Sequence, residues 1–178
     1  SLGRMMLSVD GEEHERYRQP FVAPFRAREA ERLFAQSIRE YARDLIAAID
    51  GEAELTHAFA APFAVGVAAQ VIGLPLDDIR RIDDFYAAFA AAMEYSGDPE
   101  PLQRAGAARA ELTALLLEGL GRSKVVEQSD LSPEEVAAQL RVVMFGALET
   151  IQASVLPTLM LLLQQSEALA QVSEDRSL

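Results

Sequence analysis

Ser132-Pro133-Glu134-Glu135-Val136-Ala137-Ala138-Gln139-Leu140-Arg141-Val142-Val143-Met144-Phe145-Gly146-Ala147-Leu148-Glu149-Thr150 decides how the rest of the chain is read. Its first four residues are a helix start: Ser as N-cap, Pro at the first helical position, Glu in the next two. The helix they begin runs to about Gln165. Its middle is unusual for a core helix. Gly146 costs about 1 kcal/mol in a helix interior. Glu149 is an ionisable group in an apolar segment, expensive unless it is paired or used. Thr150 can turn its hydroxyl onto a carbonyl one turn earlier. Small residues, an acid and a hydroxyl together describe a place where a flat ligand approaches and a proton is handled. The alternative is a kinked core helix with a satisfied Glu.

On the C-terminal side, Val142 to Leu163 carries one formal charge, Glu149, and is long enough to span a bilayer. Thr150, Gln152, Ser154 and Pro157 lie in its middle and basic flanking is sparse, so a buried core helix is expected, and no membrane partner. Residues 166–178 read as a shorter final helix. On the N-terminal side the chain alternates helices with turn signals. A first helix begins at Asp10 and stops at Pro20. An amphipathic helix follows from about Ala27 to Ile49, with Leu33, Ile38, Ala42, Leu45 and Ile49 at helical spacing. Glu54 to Thr56 is a candidate short strand. A helix from about His57 to Ile72 is apolar on every side, hence buried on every side, and is interrupted by Pro62. Asp77 caps a helix with Ile79, Ile82, Phe85, Phe89 and Met93 on one stripe. A turn at Ser96-Gly97-Asp98-Pro99 leads to a helix from about Glu100 to Leu120.

The first helix holds a second constellation, Asp10-Gly11-Glu12-Glu13-His14-Glu15-Arg16-Tyr17-Arg18. His14 and Arg18 at i, i+4 leave one face and can clamp a carboxylate; the plainer reading is a solvated, salt-bridged surface. His57 reads as a cap or surface residue.

Composition excludes several classes. Half of the 178 residues are hydrophobic, which excludes disorder as the overall state. Sixteen basic against 28 acidic residues give a formal charge of -12, with no basic cluster for a nucleic acid or an anionic lipid surface. There is no cysteine, so neither a disulfide framework nor a thiolate metal site. A cytoplasmic protein is expected. The start at Ser1 reads as cut.

Taken in order, these pieces resemble a bacterial cytochrome P450. Asp10-Gly11-Glu12-Glu13-His14 through Arg18, then Pro24-Phe25, is similar to that family's C helix with its His-x-x-x-Arg pair. Val71-Ile72-Gly73-Leu74-Pro75-Leu76-Asp77-Asp78 resembles the end of the E helix and the turn into F. Ala138 to Thr150 resembles the I helix with its small-small-x-acid-Thr signature, and Leu162 to Leu178 the J helix. The resemblance implies an all-α, mainly helical chain: the central helical part of the P450 fold, incomplete at both ends. Its helices would be C at about 10–19, D at 27–49, E at 57–72, F at 78–95, G at 100–120, I at 133–165 and J at 166–178. It implies a haem-thiolate monooxygenase that uses heme b and inserts one oxygen atom from O2 into a small apolar organic substrate, with electrons from a ferredoxin- or flavin-type redox partner. His14 and Arg18 would bind a haem propionate. Gly146 and Ala147 would let the helix pass over the haem. Glu149 and Thr150 would guide protons to the oxygen, and Val142 and Phe145 would face substrate.

The departures are Ala147 where Gly is common and Ile151 where a second Thr is frequent. Arg122 to Asp130 is short for the family's H helix. The family's N-terminal sheet, its Glu-x-x-Arg helix and its axial Cys loop would lie outside these residues, so the chain is expected to be inactive alone. The rival implied by the wider family is a haem-free, P450-like auxiliary or scaffold protein supporting a partner enzyme.

Overall fold

The computed structural model describes residues 4–76, 79–94, 99–126 and 129–174. Among them are seven α-helices and no strand: α1 (Gly11–Val22), α2 (Ala27–Ala47), α3 (Ala61–Ile72), α4 (Ile79–Glu94), α5 (Pro99–Gly119), α6 (Pro133–Gln164) and α7 (Ser166–Glu174). A π-helical turn, Thr56–Ala60, leads into α3, and a 3-10 turn, Leu120–Arg122, follows α5.

Helix α6 begins as its sequence dictates. The Ser132 Oγ accepts the Glu135 N–H at 3.2 Å, and the Glu135 carboxylate accepts the Ser132 N–H at 2.8 Å, a reciprocal capping box. Its first half is the centre of the fold. Val136, Ala137, Ala138, Gln139, Leu140, Arg141, Met144 and Leu148 are buried. Leu140 and Met144 lie in one apolar cluster with Ile72 of α3, Ile82 of α4, and Leu112 and Leu116 of α5. Burying each such side chain stabilises the fold by roughly 1.5–3 kcal/mol.

Helix α3 is buried from Ala64 through Ala69, as an all-apolar helix must be. Tyr41 of α2 lies directly over Gly66, where a Cβ would sit 2.0 Å from the ring, and its hydroxyl donates to the Pro62 carbonyl at 3.0 Å. Helix α3 ends at Gly73, which takes φ +84 and brings its backbone against Arg122 and Ser123. On α2 only Phe34 is fully buried. Leu33 and Ile38 of the expected stripe pack on the core from partial exposure.

Several sequence expectations are corrected. Helix α1 does not stop at Pro20 but continues to Val22. Proline forfeits one backbone bond there, and burial of Phe21 offsets the loss. Asp10 occupies the N-cap position of α1 without a side-chain cap bond. Glu54–Thr56 is a helix entrance rather than a strand. The Glu54 carboxylate accepts the N–H groups of Thr56 at 2.9 Å and His57 at 3.0 Å, and the Thr56 hydroxyl at 2.5 Å. The π turn just ahead of Pro62 widens the backbone where the proline ring would meet the carbonyl four residues earlier. The cap at Asp77 and the turn at Ser96-Gly97-Asp98 lie outside the described residues.

Helix α6 is buried over its first half and largely exposed over its last turns. Pro133–Gln164 is long and apolar enough to cross a membrane, and 6% of its most apolar 18-residue window is buried. Met160, Leu161 and Leu163 are 60%, 56% and 63% exposed.

Candidate functional site

Residues at i, i+3, i+4 and i+7 share one face of a helix. Glu135, Gln139, Val142, Gly146 and Glu149 therefore form one stripe along α6. Helix α1 and the turn before it cover the first end of that stripe. Arg16 donates to both carboxylate oxygens of Glu135, at 2.8 and 2.9 Å, and the Tyr17 hydroxyl donates to the same carboxylate at 3.4 Å. The Arg16 guanidinium, and next the Ser132 N–H, hold the Glu135 carboxyl near about 2. One turn on, the Met6 N–H donates to Gln139 Oε1 at 2.8 Å, and the Met6 carbonyl meets His14 Nδ1 at 2.8 Å.

From Gly146 onward the stripe is open. An added Cβ at Gly146 would meet nothing within 4 Å, and Glu149 and Thr150 are exposed. Seven residues of helix separate Gln139 from Gly146, roughly 10 Å along the axis. The Thr150 hydroxyl donates to the Gly146 carbonyl at 2.5 Å, leaving its own lone pairs for an incoming donor. Ser154 and Thr158 bond back in the same way, to the carbonyls of Thr150 and Ser154. Phe145 is partly buried, with its ring 6.0 Å from that of Tyr86 on α4. The Tyr86 phenol is pushed up by burial and further by the Glu149 carboxylate. Val142 and Ala147 are partly buried.

The sequence-derived residues thus fall in two groups, His14 and Arg18 on α1 and Val142 to Thr150 on α6. His14 is partly buried and tied to Met6, whereas Arg18 is exposed with no hydrogen bond or ion pair among the described residues. No hydrogen bond or ion pair links these two to Glu149 or Thr150 among the described residues. The tie between the groups is Gln139, which sequence reasoning passed over. Its signal was present: a lone amide in Val136-Ala137-Ala138-Gln139-Leu140, seven residues before Gly146. Likewise Arg16 is not a generic surface cation but the anchor of α1 on α6.

The topology can be set against solved structures. A myxobacterial cytochrome P450 in complex with myristic acid matches at TM-score 0.75 and 27% identity, over 97% of this chain and 46% of that one. The fold is the helical part of a cytochrome P450. The Sorangium cellulosum So Ce56 cytochrome P450 260B1 matches at TM-score 0.77 and 23% identity, over 97% of this chain and 48% of that one. P450BioI in complex with hexadec-9Z-enoic acid ligated acyl carrier protein matches at 0.76 and 23%, over 96% and 48%. The chain spans about half the length of these P450 structures. No protein-family model matches the sequence, and no curated protein matches it.

The residues present fit the cofactor of that fold. The open face at Gly146 admits a flat macrocycle against backbone, and Arg18 is available to a carboxylate. Among the described residues no group of three acidic, His or Cys side chains could hold a bare metal ion. With no cysteine in its 178 residues, the chain supplies no thiolate ligand.

Proposed function

We propose that this chain is the central part of a haem-thiolate monooxygenase that inserts one oxygen atom from O2 into a small apolar organic substrate. The observation that carries the proposal is the α6 surface: a helix tied to α1 through Glu135 and Gln139, then left open at Gly146 beside an acid and a back-bonded threonine. The order of its helices is that of the P450 structures it resembles.

In this reading α1 presents His14 and Arg18 to the propionates of heme b, with Arg18 contributing a planar fork of donors. Gly146 and Ala147 keep the α6 backbone clear for the macrocycle. Haem with a thiolate ligand would supply O2 cleavage when bound; the 178 residues hold no cysteine to provide that thiolate. Thr150, with its hydroxyl donating to the Gly146 carbonyl, would hold a proton at a fixed point on this face. Glu149, exposed one residue earlier, exchanges protons with solvent. Val142 and Phe145 shape the apolar substrate side, with Phe145 braced by Tyr86. Two of the similar structures hold fatty-acyl ligands, which suits a long apolar substrate. Electrons come from a ferredoxin- or flavin-type partner, and the net charge of -12 speaks against nucleic-acid contacts.

A second reading, a haem-free scaffold supporting a partner enzyme, draws on the absence of cysteine from the sequence. It gives His14, Arg18 and Thr150 no task. Haem titration of the full-length protein separates the two. Stoichiometric uptake weakened by Arg18→Ala is expected; no uptake, with partner-enzyme activity indifferent to Arg18→Ala, would overturn the monooxygenase reading.

A further inference from the structure

Gln139 is fully buried in the middle of an otherwise apolar stretch of α6. A buried amide is costly unless its polar atoms are used. Its Oε1 takes the Met6 N–H at 2.8 Å, across 133 positions of sequence, while its buried Nε2 has no hydrogen-bond partner among the described residues. Met6 is held by both sides of its backbone, since its carbonyl lies 2.8 Å from His14 Nδ1. A carbonyl only accepts, so the Nδ1 atom must carry the hydrogen. The contact therefore selects one tautomer of His14 and leaves Nε2 as the ring's remaining polar atom.

We propose that Gln139 is the positioning residue for His14: it fixes Met6, and Met6 fixes the orientation and tautomer of the imidazole. The amide acts through the backbone and touches no ligand. The Met5–Ser8 turn, closed by the Ser8 N–H on the Met5 carbonyl at 2.8 Å, keeps Met6 in place between the two helices. Helix α1 is thereby set on α6 at two successive turns, by Arg16 on Glu135 at the surface and by Met6 on Gln139 inside. The part His14 plays toward a haem propionate rests on the function proposed above; the positioning itself does not.

The test is imidazole nitrogen NMR on the 178-residue chain, without haem, at a pH where the ring is neutral. A His57→Asn variant assigns the signals. The unaltered chain should show His14 as the Nδ1–H tautomer and the Met6 amide protected from hydrogen exchange. Gln139→Met, which keeps the volume and removes the acceptor, should lose both signatures with helix content unchanged. Met6→Pro gives an independent route should Gln139→Met not fold. It deletes the donor at the second position of a turn, where proline is favoured, and leaves α6 as it is. The Nδ1–H tautomer should be lost there too, and Gln139→Glu should retain it. A Met6 amide that exchanges freely in the unaltered chain, or a tautomer unmoved in Gln139→Met or Met6→Pro, overturns the proposal. A full-length protein that takes up no haem defeats the function reading and leaves this result standing.

Discussion

In the proposed reaction Thr150 has the most specific task, and its geometry defines what its removal should do. The hydroxyl donates to Gly146 and offers its lone pairs outward. In the full-length protein, Thr150→Ala should lower product formed per O2 consumed by on the order of 100-fold, the scale of a lost proton-transfer group. Substrate binding should change little, and Thr150→Ser should recover much of the coupling. Parallel oxygen-electrode and product assays would show this; unchanged coupling in the alanine form would remove Thr150 from the reaction. At this scale the sequence was most legible where a residue broke a local rule, as Gly146, Glu149 and Thr150 do inside an apolar helix. It was silent where meaning arises from a partner far along the chain. Nothing near Gln139 announces Met6, and Arg16 reads as one of many surface charges until Glu135 is brought to it.

At the scale of elements, two glycines make opposite predictions. Gly66 lies under the Tyr41 ring, so Gly66→Ala should destabilise the fold by about 1–3 kcal/mol through overpacking. Gly146 faces open space, so Gly146→Ala should stabilise the chain by about 1 kcal/mol through helix propensity. Urea unfolding of the two variants checks both signs. The seam between α1 and α6 makes a pH prediction. Glu135 and Glu54 are each held near about 2, against an ordinary value of 4.5. A carboxyl depressed in the folded state contributes stability above its ordinary value and loses it as pH falls from about 4.5 toward 2. Glu135→Gln keeps an oxygen for the Ser132 N–H but loses the charge facing Arg16, and should lower stability at neutral pH by at most about 1 kcal/mol. Its difference from the unaltered chain should vanish at the acid end, because Glu54 titrates in both. A difference that persists at low pH would assign the effect to packing. Helix existence was readable from periodicity and caps. The ends were not, because Pro20 and Pro62 are tolerated through Phe21 burial and a π turn, which are matters of packing.

At the scale of the molecule, a buried core around Leu140 and Met144 adjoins a helix whose last turns expose Met160, Leu161 and Leu163. Apolar patches of this kind are uncommon on soluble monomers. The isolated chain should therefore bind an apolar-surface dye or self-associate. Leu161→Gln with Leu163→Gln should reduce both, as read by fluorescence and size exclusion; a compact, dye-silent monomer would oppose it. We propose that these helices belong to a haem-thiolate enzyme. The most direct test is the reduced carbon monoxide difference spectrum of the full-length protein beside that of the 178-residue chain. The account predicts a thiolate-type spectrum from the former and none from the latter, which has no cysteine. A thiolate-type spectrum from the chain alone, or none from the full-length protein, would contradict it.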